Sequence, residues 1–180
     1  MSTSAEVRLR DGSVAVLRAV PYDDPVARAL VDRVQQEYVD RYGGPDEAVV
    51  DPAEFVPPAG VFLVAEVDGV PAGCGAWRRH AEGAPGEAEV KRVYVAPTHR
   101  RRGLAQVVVT ALEVSAARAG YRAVVLNTGY RQPEAVALYE AMGYGPVPGF
   151  GVYGGEPGAV FLGKQLAGPA GEREEQPWAS

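Results

Sequence analysis

Apolar residues recur along the chain with two different periods, and the switches between them divide it into elements. Val14–Leu17 alternates weakly and is read as a first strand, with Glu6–Leu9 competing for the same role. Asp24 followed by Pro25 reads as a helix start, an acidic N-cap with proline in the first turn. Val26, Leu30, Val34 and Tyr38 then recur every four residues, with Ala27 and Val31 beside them. This helix is predicted to stop near Tyr42, because Gly43-Gly44-Pro45 cannot continue it. Asp51-Pro52 opens a short second helix that Pro57-Pro58 ends. Gly60–Val67 and Val70–Trp77 flank Asp68-Gly69, a two-residue pair suited to a type I′ hairpin turn, and Glu87–Val95 adds a third strand after the loop Arg79–Gly86.

Helical periodicity returns with Leu104, Val107, Val108, Ala111, Leu112 and Ser115 and ends at Gly120. Tyr121–Leu126 reads as a buried strand. Pro133 and Glu134 open a last helix with the stripe Ala135, Leu138, Tyr139 and Met142, which Gly143 caps. Short strands around Gly145–Val147 and Ala159–Lys164 close the chain. The order strand, helices, three antiparallel strands, helix, strand, helix, strands predicts a mixed α+β sheet with one strand–helix–strand crossover.

Composition narrows the function classes. With 180 residues, 47% hydrophobic and 23% charged, the chain suits a single globular core. A formal net charge of −5 argues against wholesale capture by nucleic acid or an anionic membrane. One cysteine, Cys74, excludes an internal disulfide, and the two histidines leave no ligand cluster at metal spacing, so no metal is expected. The N-terminus lacks the apolar core of a signal peptide and no run is long enough to span a membrane, which predicts a soluble, cytoplasmic protein. Residues 167–180, AGPAGEREEQPWAS, have the composition of a disordered tail, leaving 1–166 as one domain.

Against that acidic background, VYVAPTHRRRGLAQ (residues 93–106) stands out. A strand breaks at Pro97, gathers Arg100, Arg101 and Arg102, and passes through Gly103 into a helix. A helix N-terminus presents unpaired N–H groups and the positive end of the macrodipole, and a loop of amides ahead of it forms an anion nest. Gly103 and small Ala105 let an anion approach the backbone, and the arginines add charge-assisted donors. The Gly-Lys-Ser/Thr ending of a triphosphate loop and the GxGxxG of a dinucleotide turn are both missing. The expected ligand carries a pyrophosphate without needing to be either kind of nucleotide.

Arg100-x-x-Gly103-x-Ala105, after the strand Glu89–Val95, resembles the Arg/Gln-x-x-Gly-x-Gly/Ala signature with which the GNAT superfamily of N-acetyltransferases grips the pyrophosphate of acetyl-coenzyme A. Ala137-Leu138-Tyr139-Glu140-Ala141-Met142-Gly143-Tyr144 is similar to that superfamily's LYexxGF/Y helix, and the two blocks together cover about residues 60–165 in the right order. The resemblance implies a mixed, mostly antiparallel sheet with helices on both faces, in a monomer or homodimer. It also implies direct acetyl transfer to a primary amine of a small molecule or peptide, or alternatively a catalytically silent coenzyme A-binding module. By the same resemblance Glu89 is the candidate base, Tyr139 the acid that protonates the departing thiolate, and the Val93 N–H a donor to the thioester oxygen. Val95, Arg100, Arg101, Arg102, Gly103, Leu104, Ala105 and Gln132 are the remaining cofactor-binding candidates, Gln132 occupying a slot where many relatives carry asparagine.

Ordinary roles compete for several of these residues. Tyr139 lies on an apolar stripe and suits a packed core position. Glu89 alternates with Val90 and suits a solvent-facing position paired with Lys91. Cys74 suits a buried thiol, and His80 and His99 have no partners at triad spacing. The loop Tyr42–Glu47 falls where the superfamily builds its variable acceptor wall. Its carboxylates, Asp46 and Glu47, could attract a cationic amine or simply form a turn.

Overall fold

A computed structural model describes residues 4–168. The first three residues and most of the expected tail, residues 169–180, lie outside the described residues. Eight strands form one sheet in the order β1-β2-β3-β4-β5-β6-β8-β7. They span β1 Ser4–Arg8, β2 Val14–Ala19, β3 Gly60–Val67, β4 Val70–Arg79, β5 Glu87–Val95, β6 Ala123–Gly129, β7 Gly145–Pro146 and β8 Ala159–Gln165. The helices are α1 Pro25–Tyr42, α2 Leu104–Arg118 and α3 Pro133–Ala141. All neighbouring pairs are antiparallel except β5 and β6, which α2 joins as a parallel crossover.

Side chains alternate across the strands, and this divides the core between the two faces. Val61, Leu63 and Ala65 of β3 pack with Val108, Val109 and Leu112 of α2. Phe62 and Val64 pack with Ala27, Leu30 and Val34 of α1. The Asp24 carboxylate caps α1 by accepting from Val26 N–H at 2.8 Å, and Gly43 ends it with φ 82°. Asp51 caps a short 3-10 turn over Pro52–Phe55. Asp68 and Gly69 take φ 51° and 76°, as a type I′ turn requires.

Two expectations are corrected. Glu6–Leu9 and Val14–Leu17 are not rivals, because both segments are strands and pair as the edge hairpin β1–β2. The strand expected at Tyr121–Leu126 runs instead over Ala123–Gly129. Tyr121 N–H closes the end of α2 on Ala116 C=O at 3.0 Å while its ring packs edge-on against Trp77 at 4.9 Å, which keeps it off the sheet.

Two irregularities in β5 create the site. Opposite it on β4, Cys74 pairs with Tyr94 and Ala76 with Lys91, so Gly75 faces both Arg92 and Val93. This is a β-bulge, with Arg92 at φ 58°. It places the consecutive side chains of Lys91 and Arg92 on the α1 face and returns Val93 to the α2 face. A β-carbon on Gly75 would lie 2.7 Å from Val108 and 2.9 Å from Leu112, so α2 seats close to the sheet only with glycine there. The second irregularity is the short pairing with β6, which covers only Glu87–Ala123, Ala88–Val124 and Glu89–Val125. Beyond that the strands diverge, and the sheet opens as a wedge.

Candidate active site

Backbone lines one side of the wedge. Ala96 N–H donates to Ala72 C=O at 2.8 Å, on the β4 side. Amides along a strand alternate between its edges, so those of Val95 and Val93 face the wedge. After residues 96–100, where the amides of Ala96, His99 and Arg100 bond within the protein, a second group of donors begins. Arg101 and Gly103 take left-handed conformations, φ 65° and 85°, which curl successive amides toward one point. Helix α2 has no side-chain cap, and its first helical bond runs from Val107 N–H to Gly103 C=O at 3.1 Å. The amides of Leu104, Ala105 and Gln106 therefore point out of the helix end at the positive pole of its dipole.

The three arginines divide their tasks. Arg100 donates from Nε to Val95 C=O at 3.0 Å and from Nη2 to both Glu37 oxygens at 3.1 and 3.0 Å. It thus braces the end of β5 against α1. Arg102 donates to Thr98 C=O at 3.2 Å and pairs with Asp11 at 3.3 Å. Arg101 is exposed and has no ion-pair partner among the described residues.

On the other side of the wedge, α3 carries Tyr139, 6% exposed and packed edge-on against Tyr144 with ring centroids 5.3 Å apart. Burial, with the nearby Tyr38, pushes its phenol well above the ordinary value. Gln132 precedes this helix, where its side-chain oxygen accepts from Thr128 Oγ1 at 3.2 Å and from the Tyr42 hydroxyl at 3.4 Å. It ties β6 to the end of α1.

The α1 face of β5 bears a row of alternating charge. Glu54 meets Arg78 Nη1 at 2.7 Å, Arg78 Nε meets Glu89 at 3.0 Å, Glu89 meets Lys91 at 3.3 Å, and Lys91 lies 3.8 Å from Asp46. Asp46 also pairs directly with Arg92. The Tyr153 hydroxyl donates to Asp46 Oδ1 at 3.0 Å and accepts from Glu47 N–H at 2.8 Å. Phe150 packs on His80 and Phe161, and Gly151 N–H donates to Glu82 at 3.0 Å. One carboxylate, Asp46, thereby joins the loop after α1, the bulge of β5 and the loop before β8. Burial works to raise its pKa, but Lys91 and Arg92 outweigh that and hold it below the usual carboxylate range.

A match to the acetyltransferase (GNAT) family spans residues 27–144, which include the wedge, the nest and Tyr139. The chain belongs to this family. The acetyltransferase is 33% identical over 154 residues to a protein named IAA acetyltransferase from Azospirillum brasilense, a match covering 86% of this chain and 99% of that one. Among solved structures, the GNAT domain of S. lividans PAT superposes with a TM-score of 0.72 at 24% identity, covering 91% of this chain and 97% of that one. A GNAT family acetyltransferase from Elizabethkingia anophelis with acetyl-CoA bound gives a TM-score of 0.61 at 15% identity, covering 84% and 98%. The fold and the acyltransferase class follow from these matches together with the eight-stranded mixed sheet.

The acetyltransferase brings Val93, Val95, Arg100, Arg101, Arg102, Gly103, Leu104 and Ala105 together along one edge of the wedge, with Glu89 at its apex and Tyr139 across it. Glu89 does not face solvent. It is 8% exposed, and each oxygen is held by a cation, Oε1 by Lys91 and Oε2 by Arg78. Asp46 is not free to attract a cationic amine either, since its carboxylate is engaged by Lys91, Arg92 and Tyr153. Cys74 is buried as expected, with its thiol on Arg92 C=O at 3.3 Å and its pKa pushed up to about 12 by burial. Among the described residues no group of three ligating side chains could hold a metal, and no helix is long and apolar enough to cross a membrane. Sequence reasoning missed the bulge and its Arg92, although a signal existed. In Ala88-Glu-Val-Lys-Arg-Val-Tyr-Val95 the apolar positions 88 and 90 are followed by 93 and 95, a spacing of three at the point where the alternation breaks.

Proposed function

We propose that this chain transfers the acetyl group of acetyl-CoA directly to a primary amine. The observation that carries this reading is a row of unpaired amides in two groups, Val93 and Val95 on β5 and then the left-handed turn at Arg101–Gly103 with the uncapped start of α2, separated by residues 96–100. Such a row fits an extended ligand with amides at one end and a pyrophosphate at the other. The Val93 N–H, just past the bulge, then stands where a thioester oxygen gains negative charge as the amine attacks. The new C–N bond forms as the C–S bond breaks. Proximity of the two reactants supplies much of the rate, without a covalent enzyme intermediate.

Two protons must move. Glu89 takes one from the attacking amine, through a water, because Arg78 and Lys91 already hold its two oxygens. Tyr139 supplies a hydrogen bond, and finally a proton, to the departing thiolate. Gln132 orients the start of α3 through Thr128 and Tyr42. The reading is tested by calorimetric titration of acetyl-CoA, then thiol release against a panel of amines, amino acids, polyamines, aminoglycosides and peptides. Binding with turnover on a panel member is the expected result. Binding without turnover on an exhaustive panel would favour a silent coenzyme A-binding module, and no binding would overturn the reading.

A further inference from the structure

The turn between β1 and β2 lies against the start of α2. Arg10 N–H donates to Arg102 C=O at 3.2 Å, and Arg10 Nη2 donates to the side-chain oxygen of Gln106, in the first turn of the helix, at 3.3 Å. Its side chain crosses directly over Gly103, with Nε 3.2 Å and Cδ 3.6 Å from where a β-carbon would stand. The turn is held in place: buried Leu9 donates from its N–H to Ser13 C=O at 2.8 Å, and the Asp11 carboxylate accepts from Ser13 N–H at 3.0 Å and pairs with Arg102. The backbone at Arg10 is therefore held beside Gly103, the residue that precedes the amides opening α2.

Arg10 is exposed, and its charge meets no carboxylate among the described residues. Arg100 is matched by Glu37 and Arg102 by Asp11, whereas among the described residues Arg10 has only the neutral amide of Gln106 as a side-chain partner. A cation beside a helix N-terminus is repelled by the positive pole of the dipole. Uncompensated, this arrangement is unfavourable, and an anion seated on the α2 amides reverses its sign.

We propose that Arg10, contributed by the N-terminal hairpin, is a phosphate-binding residue of the coenzyme A cleft. The inference rests on the reading that this cleft takes acetyl-CoA. Coenzyme A offers two groups of the same chemistry, the pyrophosphate and the 3′-phosphate, and Arg10 reaches one of them as Arg100 and Arg102 brace the protein.

The test is calorimetric titration of the full chain and its Arg10→Ala and Arg10→Gln variants with coenzyme A, dephospho-coenzyme A and pantetheine. Arg10→Gln retains a long polar side chain that can still meet Gln106 but lacks the charge, and thermal melts confirm that each variant folds. The expected result is coenzyme A binding weakened about tenfold in both variants, as for loss of one charge-assisted hydrogen bond. Pantetheine, which lacks phosphates, should compete equally well with all three proteins. A penalty that disappears with dephospho-coenzyme A assigns Arg10 to the 3′-phosphate, and one that persists assigns it to the pyrophosphate. Coenzyme A affinity within twofold of native in both variants, or an equal penalty with pantetheine, overturns the inference and leaves the proposed function standing. Failure of the native chain to bind coenzyme A at all overturns both.

Discussion

Tyr139→Phe separates a proton donor from a packing residue, and the structure sets the size of the effect. The phenylalanine ring keeps the edge-on contact with Tyr144, 5.3 Å between centroids, and only the hydroxyl is lost, so stability should barely change. A free thiol has a pKa of about 8.5 and a free phenol about 10, and burial raises the Tyr139 phenol further. Complete proton transfer to the thiolate is then uphill by at least about 2 kcal/mol, since one pKa unit is ~1.4 kcal/mol. In the proposed mechanism Tyr139 accordingly contributes chiefly a hydrogen bond to the developing sulfur charge, worth roughly 1.5–3 kcal/mol, or about 10- to 150-fold. The assay is thiol release on an amine that the native chain turns over, with acetyl-CoA affinity measured in parallel. The turnover number should fall by about 10- to 150-fold while affinity stays within twofold. Because the phenol pKa is raised, native activity should show no Tyr139-dependent fall with pH up to about 10. Full activity in the variant would reduce Tyr139 to packing, and a Tyr139-dependent fall near pH 8 would refute the account of its environment.

Other expectations concern the nest, the base and the buried ion pair. Gly103→Val forces a β-branched residue into φ 85° beside Arg10 and should weaken coenzyme A binding about tenfold or more by calorimetry; unchanged affinity would contradict the nest. Glu89→Gln should lower the turnover number about a hundredfold with little change in coenzyme A affinity, and turnover equal to native would remove Glu89 as the base. Asp46→Ala leaves Arg92, 4% exposed, without its carboxylate and should cost about 3–5 kcal/mol in denaturant unfolding. The folded-state pKa of Asp46 is depressed, so its contribution is fully present above the unfolded value of 3.8 and is lost as pH falls through the folded one. The difference between native and variant should therefore shrink only below about pH 4, and a difference that shrinks already between pH 5 and 7 would contradict this assignment.

Local signals carried most of the fold. Asp24-Pro25 and Asp68-Gly69 are recognisable because each places a residue whose own chemistry favours the observed backbone, a side-chain cap in one case and left-handed φ in the other. The nest was legible for the same reason. The charged row was not, because Asp46 meets Arg92 and Tyr153 across 46 and 107 residues of chain, and nothing local marks such a pairing. Arg10 was hidden likewise, since its partner Gln106 is 96 residues away. The rivalry between the first two strands dissolved because an edge hairpin can keep one strand largely exposed. β1 shows almost no buried face, so its periodicity is faint.

The row Glu54–Arg78–Glu89–Lys91–Asp46–Arg92 sums to zero, and each member leans on neighbours of opposite sign. Apart from the half-exposed Glu54, any single charge exchange along it strands a surplus charge where little water reaches, and the penalty appears as lost stability. Redesign of this face should therefore proceed by compensated pairs. Neutralising Glu54 and Arg78 together keeps the sum at zero and leaves Glu89 with Lys91, and Asp46 with Lys91 and Arg92. Along this face of β5 the unit of change is two residues, and a search by single substitutions would lose each first step before its partner was in place.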